Sequence, residues 1–523
     1  MNAYLLLNIA GSIIPEQEII TFGEQRQTYS QLVDSTGRLA SALASKGVGN
    51  GDRVGIIATN CPEMIEAFFA AFQLGATIVP INYRAKAEEL AFMMKDAGVK
   101  LILVEHRYAD LIAPLLPASG IESAICIGGF HPIGPNYEEV KRSVTQPLLD
   151  FADVDANDLA ILLYTSGTTS RPKGVMLTYG QLTTYVMGHS EAADGTPKGS
   201  SIICIPSYHV AGATSICNSI YCGRRLVLLR QFEAGEWLQV LQKERATHAF
   251  LVPTMLKWVM DHPDFPSTDL SSLESLSYGA APMPFPVIRS AIELFPPTTN
   301  FANAFGMTET TSTVSVLGPD DHKLTGTPEE VEKKIRRLSS VGKPLPGVDI
   351  MILDEDNQPM INNKIGNIYI RTKRAMKGYW NRPDANNETL VNGWINTKDM
   401  GWLDEDGYLF LSGRSSDMII RGGENISPNE IEDVILEHPK VADVAVIGVP
   451  SLEWGEEVAA VIVAKNPEEP PGAIELTSFC RDRLASFKRP SIINFVHELP
   501  RTSSGKILKR DLKEQFFSNP INN

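Results

Sequence analysis

The length, composition and charge of the chain set the first limits on its function. Its 523 residues are 43% hydrophobic and 21% charged, which favours a soluble globular protein with two or more packed domains. The formal net charge is -15, from 62 acidic and 47 basic residues. A nucleic-acid surface needs clustered Lys and Arg, so this diffuse acidic excess argues against nucleic-acid binding and leaves only local phosphate chemistry.

The cysteines show no metal-binding or disulfide pattern. They are scattered, with no C-x-x-C pair and no histidines at the spacing of zinc ligands. We therefore predict neither a zinc site nor a disulfide scaffold, and we expect a reducing, cytoplasmic setting. The six positions are Cys61, Cys126, Cys204, Cys217, Cys222 and Cys480.

The N-terminal segment MNAYLLLNIAGSII is apolar but has no basic residues. It is shorter than the roughly 18 continuous apolar residues that a membrane-spanning helix needs. We predict a helix that faces the core of a cytosolic protein, and contact of this patch with a membrane surface stays open as an alternative.

From about residue 28 the sequence alternates between helices of period 3.6 and short buried strands. This order predicts α/β layers with mainly parallel sheets. Past about residue 340, alternating strands and turns predict a small β-rich subdomain, and after GRSSDMII a compact α/β pattern returns. We predict an N-terminal part at 1–413, a hinge at 414–418 and a C-terminal domain at 419–523.

The stretch YTSGTTSRPKG, residues 164–174, directly follows the apolar run LAILL. Backbone amides freed by glycines, together with Ser and Thr hydroxyls and a lysine, form a cradle for phosphate oxygens when a strand delivers the loop. The stretch is not a Walker loop, because Pro172 and Gly174 stand where that template needs Gly and Ser or Thr. The plain alternative is a Ser/Thr-rich surface loop.

This stretch resembles the phosphate-binding signature of the adenylate-forming superfamily, which contains acyl- and aryl-CoA ligases, peptide-synthetase adenylation domains and luciferases. Further segments resemble that family's motifs in collinear order over nearly the whole chain. They are SYGAAPM, NAFGMTE, NTKDMGW, GRSSDMII, RGGENISPNEIE and RTSSGKILKR.

The resemblance implies a fold and an activity. The expected fold is a large N-terminal part of layered α/β subdomains with a small β-rich subdomain, joined by a hinge to a small mobile α+β domain. The expected activity is an ATP-dependent carboxylic acid–CoA ligase that uses ATP, Mg²⁺ and coenzyme A. A carboxylate displaces pyrophosphate from ATP, and a thiol then attacks the acyl-adenylate, so no protein nucleophile is needed.

The resemblance also assigns residues to the nucleotide and the metal. Glu309 is the expected Mg²⁺ ligand, and its carboxylate suits a hard cation. Thr168 is expected to share the phosphates, and the expected catalytic residues are Glu309, Thr168 and Lys506. Phe305 stands where relatives have Tyr, with core packing as the plain alternative, and Asp399 is expected to bind the ribose unless it only forms a turn. The nucleotide set is Thr165, Ser166, Gly167, Thr169, Lys173, Gly279, Ala280, Ala281, Asn303, Phe305, Gly306, Thr308, Asp399 and Arg414.

Further residues are assigned to catalysis, the acid and coenzyme A. Lys506, in the small-residue stretch SSGK, is the expected catalytic lysine of adenylation, with a solvated tail lysine as the alternative. Gly422 and Gly423 are expected to let the pantetheine arm pass. His209, with Ser277 and Ala304, is expected to bind the acid, although a lone histidine is often a packed core residue.

Several alternatives stay open. A stand-alone enzyme that loads a carrier protein differs only in the owner of the thiol, and a non-catalytic nucleotide-binding relative would keep the fold. Luciferase-type oxidation is a third alternative. The acid is a fatty or an aryl acid, and the protein is a monomer or a homodimer. Ser416, where relatives carry Asp or Lys, leaves the rotation kinetics of the hinge open.

Overall fold

The computed structural model describes residues 1–165, 171–422, 424–451, 453–501 and 507–518. The strands are β1 (Glu18–Phe22), β2 (Gln25–Thr28), β3 (Arg53–Ile57), β4 (Thr77–Pro80), β5 (Leu101–Glu105), β6 (Ser123–Ile127), β7 (Leu159–Thr165), β8 (Lys173–Thr178), β9 (Ser200–Ile203), β10 (Arg225–Leu228), β11 (His248–Leu251), β12 (Ser275–Gly279), β13 (Asn300–Met307), β14 (Ser312–Leu317), β15 (Lys343–Pro344), β16 (Val348–Leu353), β17 (Gly366–Thr372), β18 (Gly378–Tyr379), β19 (Leu390–Val391), β20 (Trp394–Leu403), β21 (Leu409–Arg414), β22 (Ile419–Arg421), β23 (Glu424–Ile426), β24 (Val441–Ser451), β25 (Gly455–Ala464) and β26 (Ile492–Phe495).

The helices are α1 (Leu5–Ile13), α2 (Tyr29–Ser45), α3 (Pro62–Gln73), α4 (Ala87–Ala97), α5 (His106–Ile112), α6 (Leu116–Ser119), α7 (Tyr137–Arg142), α8 (Tyr179–His189), α9 (Val210–Cys222), α10 (Ala234–Glu244), α11 (Pro253–Asp261), α12 (Phe285–Leu294), α13 (Pro319–His322), α14 (Pro328–Arg337), α15 (Pro383–Thr389), α16 (Pro428–Leu436), α17 (Ala473–Arg481) and α18 (Lys509–Ser518).

Two large sheets form most of the N-terminal part. The first has the order β18-β8-β7-β4-β3-β5-β6, in which β3 to β7 pair in parallel and β8 and β18 are antiparallel additions. The second has the order β15-β14-β13-β12-β11-β9-β10-β1-β2, with parallel pairing from β13 to β1. The mainly parallel pairing agrees with the hydrophobic strands of the sequence.

Helices fill the space between these sheets and cover their outer faces. The main core cluster joins Phe68 and Phe72 of α3 and Ile216 of α9 to residues of both sheets. A second cluster, with Trp237 of α10 and Leu256 of α11, covers the far face of the second sheet. This layering explains the nearly continuous apolar character of the buried strands, because both faces of each sheet are covered.

The β-rich subdomain and the C-terminal domain follow in chain order. The subdomain is an antiparallel sheet in the order β16-β17-β20-β19, with β21 added beside β20. The C-terminal domain has the sheet order β23-β22-β25-β24, with β26 beside β25 and α16 to α18 packed against it. We propose residues 414–418 as the hinge, since they run from the last residue of β21 in one sheet to the residue before β22 in the next.

The expected fold class, a large layered α/β part with a small α+β domain, is confirmed. Helix α1 faces the core as predicted, with Leu6, Leu7 and Ala10 buried. Within the described part of the chain, no helix combines the length and the apolar character that crossing a membrane requires.

Candidate active site

The main cavity lies where several parallel strands of the second sheet end. Its volume is about 270 Å³. Its walls include Pro206 just after β9, Val252 after β11, Ala280 after β12 and Met307 at the end of β13. Carboxyl ends of parallel strands meet at one edge of a sheet, and that edge is where α/β proteins bind ligands. The topology therefore places a ligand site here.

Two glycines at this edge are required by close backbone contacts. A Cβ on Gly279 would lie 2.1 Å from the carbonyl oxygen of Ala304, and one on Gly306 would lie 2.0 Å from that of Ser312. Neither position accepts a side chain without displacing a neighbouring strand. The glycines of both motifs therefore serve the packing of β12, β13 and β14 at the cavity edge.

The hairpin of β7 and β8 brings the Ser/Thr-rich loop to the cavity. Thr165 pairs with Lys173 across the antiparallel strands, and both residues line the cavity. Ser166, Gly167, Thr168 and Thr169, which the sequence predicts as phosphate ligands, lie outside the described residues.

A buried cluster beside the hairpin contains Glu309. The Tyr379 hydroxyl donates to Oε1 of Glu309 at 2.7 Å, and the Met376 amide donates to the Glu309 carbonyl at 2.7 Å. Lys173 Nζ lies 5.3 Å from the centre of the Tyr379 ring. Burial, followed by the charge of Glu309, raises the pKa of Tyr379, so this hydroxyl stays a hydrogen-bond donor. The carboxylate is thus held in one orientation at the cavity wall.

Glu309 meets the chemical requirement for a Mg²⁺ ligand. It presents a carboxylate oxygen donor at the cavity, and Mg²⁺ is commonly held by one or two carboxylates together with substrate phosphates. Among the described residues there is no cluster of three or more His, Cys, Asp or Glu that would form a complete protein site. This donor set fits a magnesium ion that arrives with a nucleotide.

The NTKD turn of β20 supplies another polar wall. The Lys398 amide donates to Asn396 Oδ1 at 3.0 Å and the Asp399 amide donates to Thr397 Oγ1 at 3.1 Å, so the side chains of the turn fix its backbone. Lys398 has a φ of 60°, in the left-handed region. Asp399 pairs with Arg414 across the strands, with Oδ1 and Nε 3.2 Å apart.

The charged side chains of the wall suit a polyanion. The described lining contains three cationic side chains, Lys173, Lys398 and Arg414, and one carboxylate, Glu309. Two of these cations are paired with carboxylates outside the lining, Arg414 with Asp399 and Lys398 with Glu388, while Lys173 lies against the Tyr379 ring. Phosphate groups are the ligands that such a wall attracts.

His209 joins the polar wall to an apolar one. It precedes α9 and lines the cavity, and its ring lies 4.5 Å from that of Tyr208. Burial, with a smaller contribution from the charge of Arg84, lowers the pKa of His209 to about 4. Its buried Nε2 has no hydrogen-bond partner among the described residues. At neutral pH the imidazole is therefore uncharged and available to a ligand.

Comparison with known proteins identifies the family. The model for AMP-binding enzymes matches residues 13–380, and the model for the C-terminal domain of AMP-binding enzymes matches residues 430–506. The chain belongs to the AMP-binding enzyme family. The predicted relation to adenylate-forming enzymes is thereby confirmed.

Individual relatives match over nearly their full lengths. A feruloyl-CoA synthase from Amycolatopsis sp. is 34% identical, over 96% of this chain and 96% of its own. A fatty acid–acyl-carrier-protein ligase, ScoC, from Streptomyces coeruleorubidus is 32% identical, over 94% and 92%. The solved structure of o-succinylbenzoate CoA synthetase from Bacillus subtilis, in complex with its acyl-adenylate intermediate, has a TM-score of 0.83 at 29% identity and covers 97% of both chains.

The structure of this AMP-binding enzyme brings part of the predicted site together. The predicted residues that line the cavity are Thr165, Lys173, His209, Ala280, Gly306, Thr308, Glu309 and Arg414. The predicted and described residues that are not in its lining are Ser277, Gly279, Ala281, Asn303, Ala304, Phe305, Asp399 and Gly422.

Two of the residues outside the lining have other contacts. Asn303 is buried, and its Nδ2 donates to the Ser340 carbonyl at 3.2 Å. Phe305 packs against the core of the β-rich subdomain, beside the cluster that contains Val314 and Ile368. Core packing, the alternative role considered for Phe305, therefore accounts for part of its contacts.

Several lining residues were not predicted from the sequence. Tyr379 and Lys398 belong to the polar wall, and Phe250 and Met255 to the apolar one. Phe250 lies one residue before the end of β11, and the rule that ligands bind at the carboxyl ends of parallel strands points to this region but not to this residue. Tyr379 gives no such signal, because its role depends on a contact with Glu309, 70 residues away in sequence.

The C-terminal domain contacts the cavity region through Arg501. Its Nη1 donates to Thr254 Oγ1 at 3.2 Å. Val252 and Met255, which lie close to Thr254 in sequence, line the cavity. Arg501 also forms an antiparallel bridge with Ile507. Lys506 and Gly423 lie outside the described residues.

Gly422 lies beside Trp454 on the C-terminal domain. Its φ is 59°, and an added Cβ would lie 3.0 Å from Trp454 Cε3. Its amide donates to the Trp454 carbonyl at 2.8 Å. A left-handed backbone and a close aromatic neighbour both favour glycine at this position.

Proposed function

We propose that this AMP-binding enzyme is an ATP-dependent carboxylic acid–CoA ligase of the AMP-forming type. The observation that carries the proposal is one cavity in which three cationic side chains and Glu309 adjoin a wall of apolar residues. The charged part of this cavity suits a nucleotide polyphosphate, and the apolar part suits an acyl group beside it. The curated relatives, which include CoA synthases and ligases, agree with the expected class of acid–thiol ligases.

In the first half-reaction a carboxylate oxygen of the acid attacks the α-phosphorus of ATP. The bond between the α-phosphorus and the oxygen that bridges it to the β-phosphorus breaks. Pyrophosphate leaves, and an acyl-adenylate remains. Lys173, Arg414 and the hydroxyls of the 165–169 loop bind the phosphate oxygens, and Lys506 stabilises the charge that develops between acid and phosphate. A magnesium ion held by Glu309 would supply further charge compensation on those oxygens.

We assign the nucleoside to residues in or next to β12 and β13 and to the NTKD turn of β20. Gly279, Ala280, Ala281, Asn303, Phe305, Gly306 and Thr308 form the proposed adenine side. Asp399 is the proposed ribose ligand, since its carboxylate has acceptor capacity beyond the Arg414 ion pair. His209, Ser277 and Ala304 are proposed to contact the acid, with the neutral imidazole of His209 able to donate a hydrogen bond.

In the second half-reaction a thiol sulfur attacks the acyl carbonyl carbon, AMP leaves, and the thiol proton is released. We propose coenzyme A as the thiol, entering past Gly422 and Gly423. The carrier-protein alternative is kept because the relative ScoC is a fatty acid–acyl-carrier-protein ligase. A cytoplasmic location and a monomeric or homodimeric state stay predictions.

The test is a screen of fatty and aryl acids for acid-dependent pyrophosphate release, followed by addition of free coenzyme A. We expect at least one acid to support pyrophosphate release and to give AMP and acyl-CoA in equal amounts. Acid-dependent release without thioester formation would shift the proposal to the carrier-protein alternative. The absence of release with every acid would contradict the ligase function.

A further inference from the structure

A second, smaller void lies beside the main cavity and shares part of its wall. The void has a volume of about 20 Å³, close to the space of a single water molecule. Its walls come from β9, β11 and α9, with Cys204, Gly212 and Ser215 among them. Ile205 and Phe250 line both spaces, so these two residues lie at the boundary between them.

The packing around the void fixes its position. The backbone of α9 cannot move closer to the end of β9, because a Cβ on Gly212 would already lie 2.4 Å from the Pro206 carbonyl oxygen. Along β11, Ala249 and Leu251 are buried in the core while Phe250 is half-buried and turned to the cavity side. The Phe250 ring is therefore the removable part of this wall.

The wall on this side carries no charge. Ile205, Val210, Phe250, Val252 and Met255 are apolar, and the cationic side chains of the lining belong to the proposed phosphate region. A second carboxylate on the acyl tail would lose its hydration here without gaining a partner among the lining side chains, since Arg501, which donates to Thr254 beside this wall, is already paired with Asp443. The volume of about 270 Å³ is near the lower end for small-molecule sites, although the cavity must also admit part of a nucleotide.

We propose that Phe250, together with Ile205, forms the floor of the acyl site and limits the length of the acid. The preferred substrate is then a compact, uncharged, apolar monocarboxylic acid. This inference rests on the proposed ligase function. Removal of the Phe250 ring joins the void behind it to the cavity and admits longer acids.

The test measures kcat/KM of acid-dependent ATP–pyrophosphate exchange over a series of straight-chain acids from butyrate to palmitate, with succinate as a dicarboxylate. For Phe250→Ala we expect the ratio of kcat/KM for a long over a short acid to rise about tenfold or more relative to the parent, since single methylenes in apolar pockets have effects of that size. Succinate should be a poor substrate for both proteins.

Three further variants make the result specific. Phe265→Ala removes a buried ring of the same core that lines neither space, and it should leave the ratio unchanged. Ser215→Leu refills the void, so it should reverse the gain in the Phe250→Ala background. Phe250→Leu removes less of the side chain. It replaces Phe250→Ala in this measurement if the melting temperature shows that Phe250→Ala does not fold, and its ratio of kcat/KM for long over short acids should also rise.

The possible outcomes separate the two proposals. A parent protein without exchange on any acid, in this series or in the screen of fatty and aryl acids, would contradict the ligase function itself. If the parent is active and the ratio of kcat/KM for long over short acids is unchanged in the folded Phe250 variants, the role of Phe250 is overturned. The same follows if this ratio rises equally in Phe265→Ala. Efficient use of succinate by the parent would overturn the assigned substrate class.

Discussion

Replacing Lys506 by Ala is expected to lower acid-dependent pyrophosphate release by a factor of about a hundred or more, the usual cost of removing one group that stabilises transition-state charge. The motif context SSGK predicts this role, and Arg501, five residues earlier, contacts Thr254 beside the cavity. Thioester formation from a pre-made acyl-adenylate should remain, because we propose that this half-reaction does not use the lysine.

The matched control is Lys513→Ala, which removes a lysine of α18 that is not in the cavity lining. It should leave both half-reactions near the parent's rates. Equal losses of Lys506→Ala in the two half-reactions would contradict a role confined to adenylation, and such a result would instead indicate a general defect of the C-terminal domain.

Replacing Glu309 by Gln is expected to raise the Mg²⁺ concentration that pyrophosphate release requires by about tenfold or more, and to lower kcat at saturating ATP. One ligand charge is removed from a hard cation, while an amide keeps the size of the side chain and can still accept from the Tyr379 hydroxyl. The measurement is a magnesium titration of pyrophosphate release at fixed ATP, with acid binding followed separately.

Tyr379→Phe is the control for this substitution. It removes the hydroxyl that orients Glu309 at 2.7 Å but keeps the carboxylate charge. Its magnesium requirement should therefore change less than that of Glu309→Gln. An unchanged magnesium dependence in Glu309→Gln would remove the metal assignment.

The sequence was most informative where local chemistry dictates local structure. The buried, β-branched strands predicted parallel sheets, and the strand LAILL delivers its loop to the cavity through the Thr165 and Lys173 pair. The β-rich subdomain past residue 340 and the core-facing α1 were also readable, since alternation and apolar periodicity are local signals.

The remaining parts of the site depend on contacts between distant segments. Tyr379 holds Glu309 only because β18 pairs with β8 beside the end of β13, which no local pattern announces. Phe250 reads as an ordinary strand residue until the strand order places its side chain in the cavity wall. Gly279 and Gly306 were assigned to the nucleotide, and the structure adds a packing reason for both.

The most direct test of the central claim follows the oxygen atoms of the acid. An acid that supports pyrophosphate release is labelled with ¹⁸O in both carboxylate positions and is converted with ATP and coenzyme A, and the products are analysed by mass spectrometry. An acyl-adenylate requires that one labelled oxygen be transferred to the phosphate of AMP while the other stays in the thioester carbonyl. Unlabelled AMP, or label in pyrophosphate or inorganic phosphate, would contradict the mechanism.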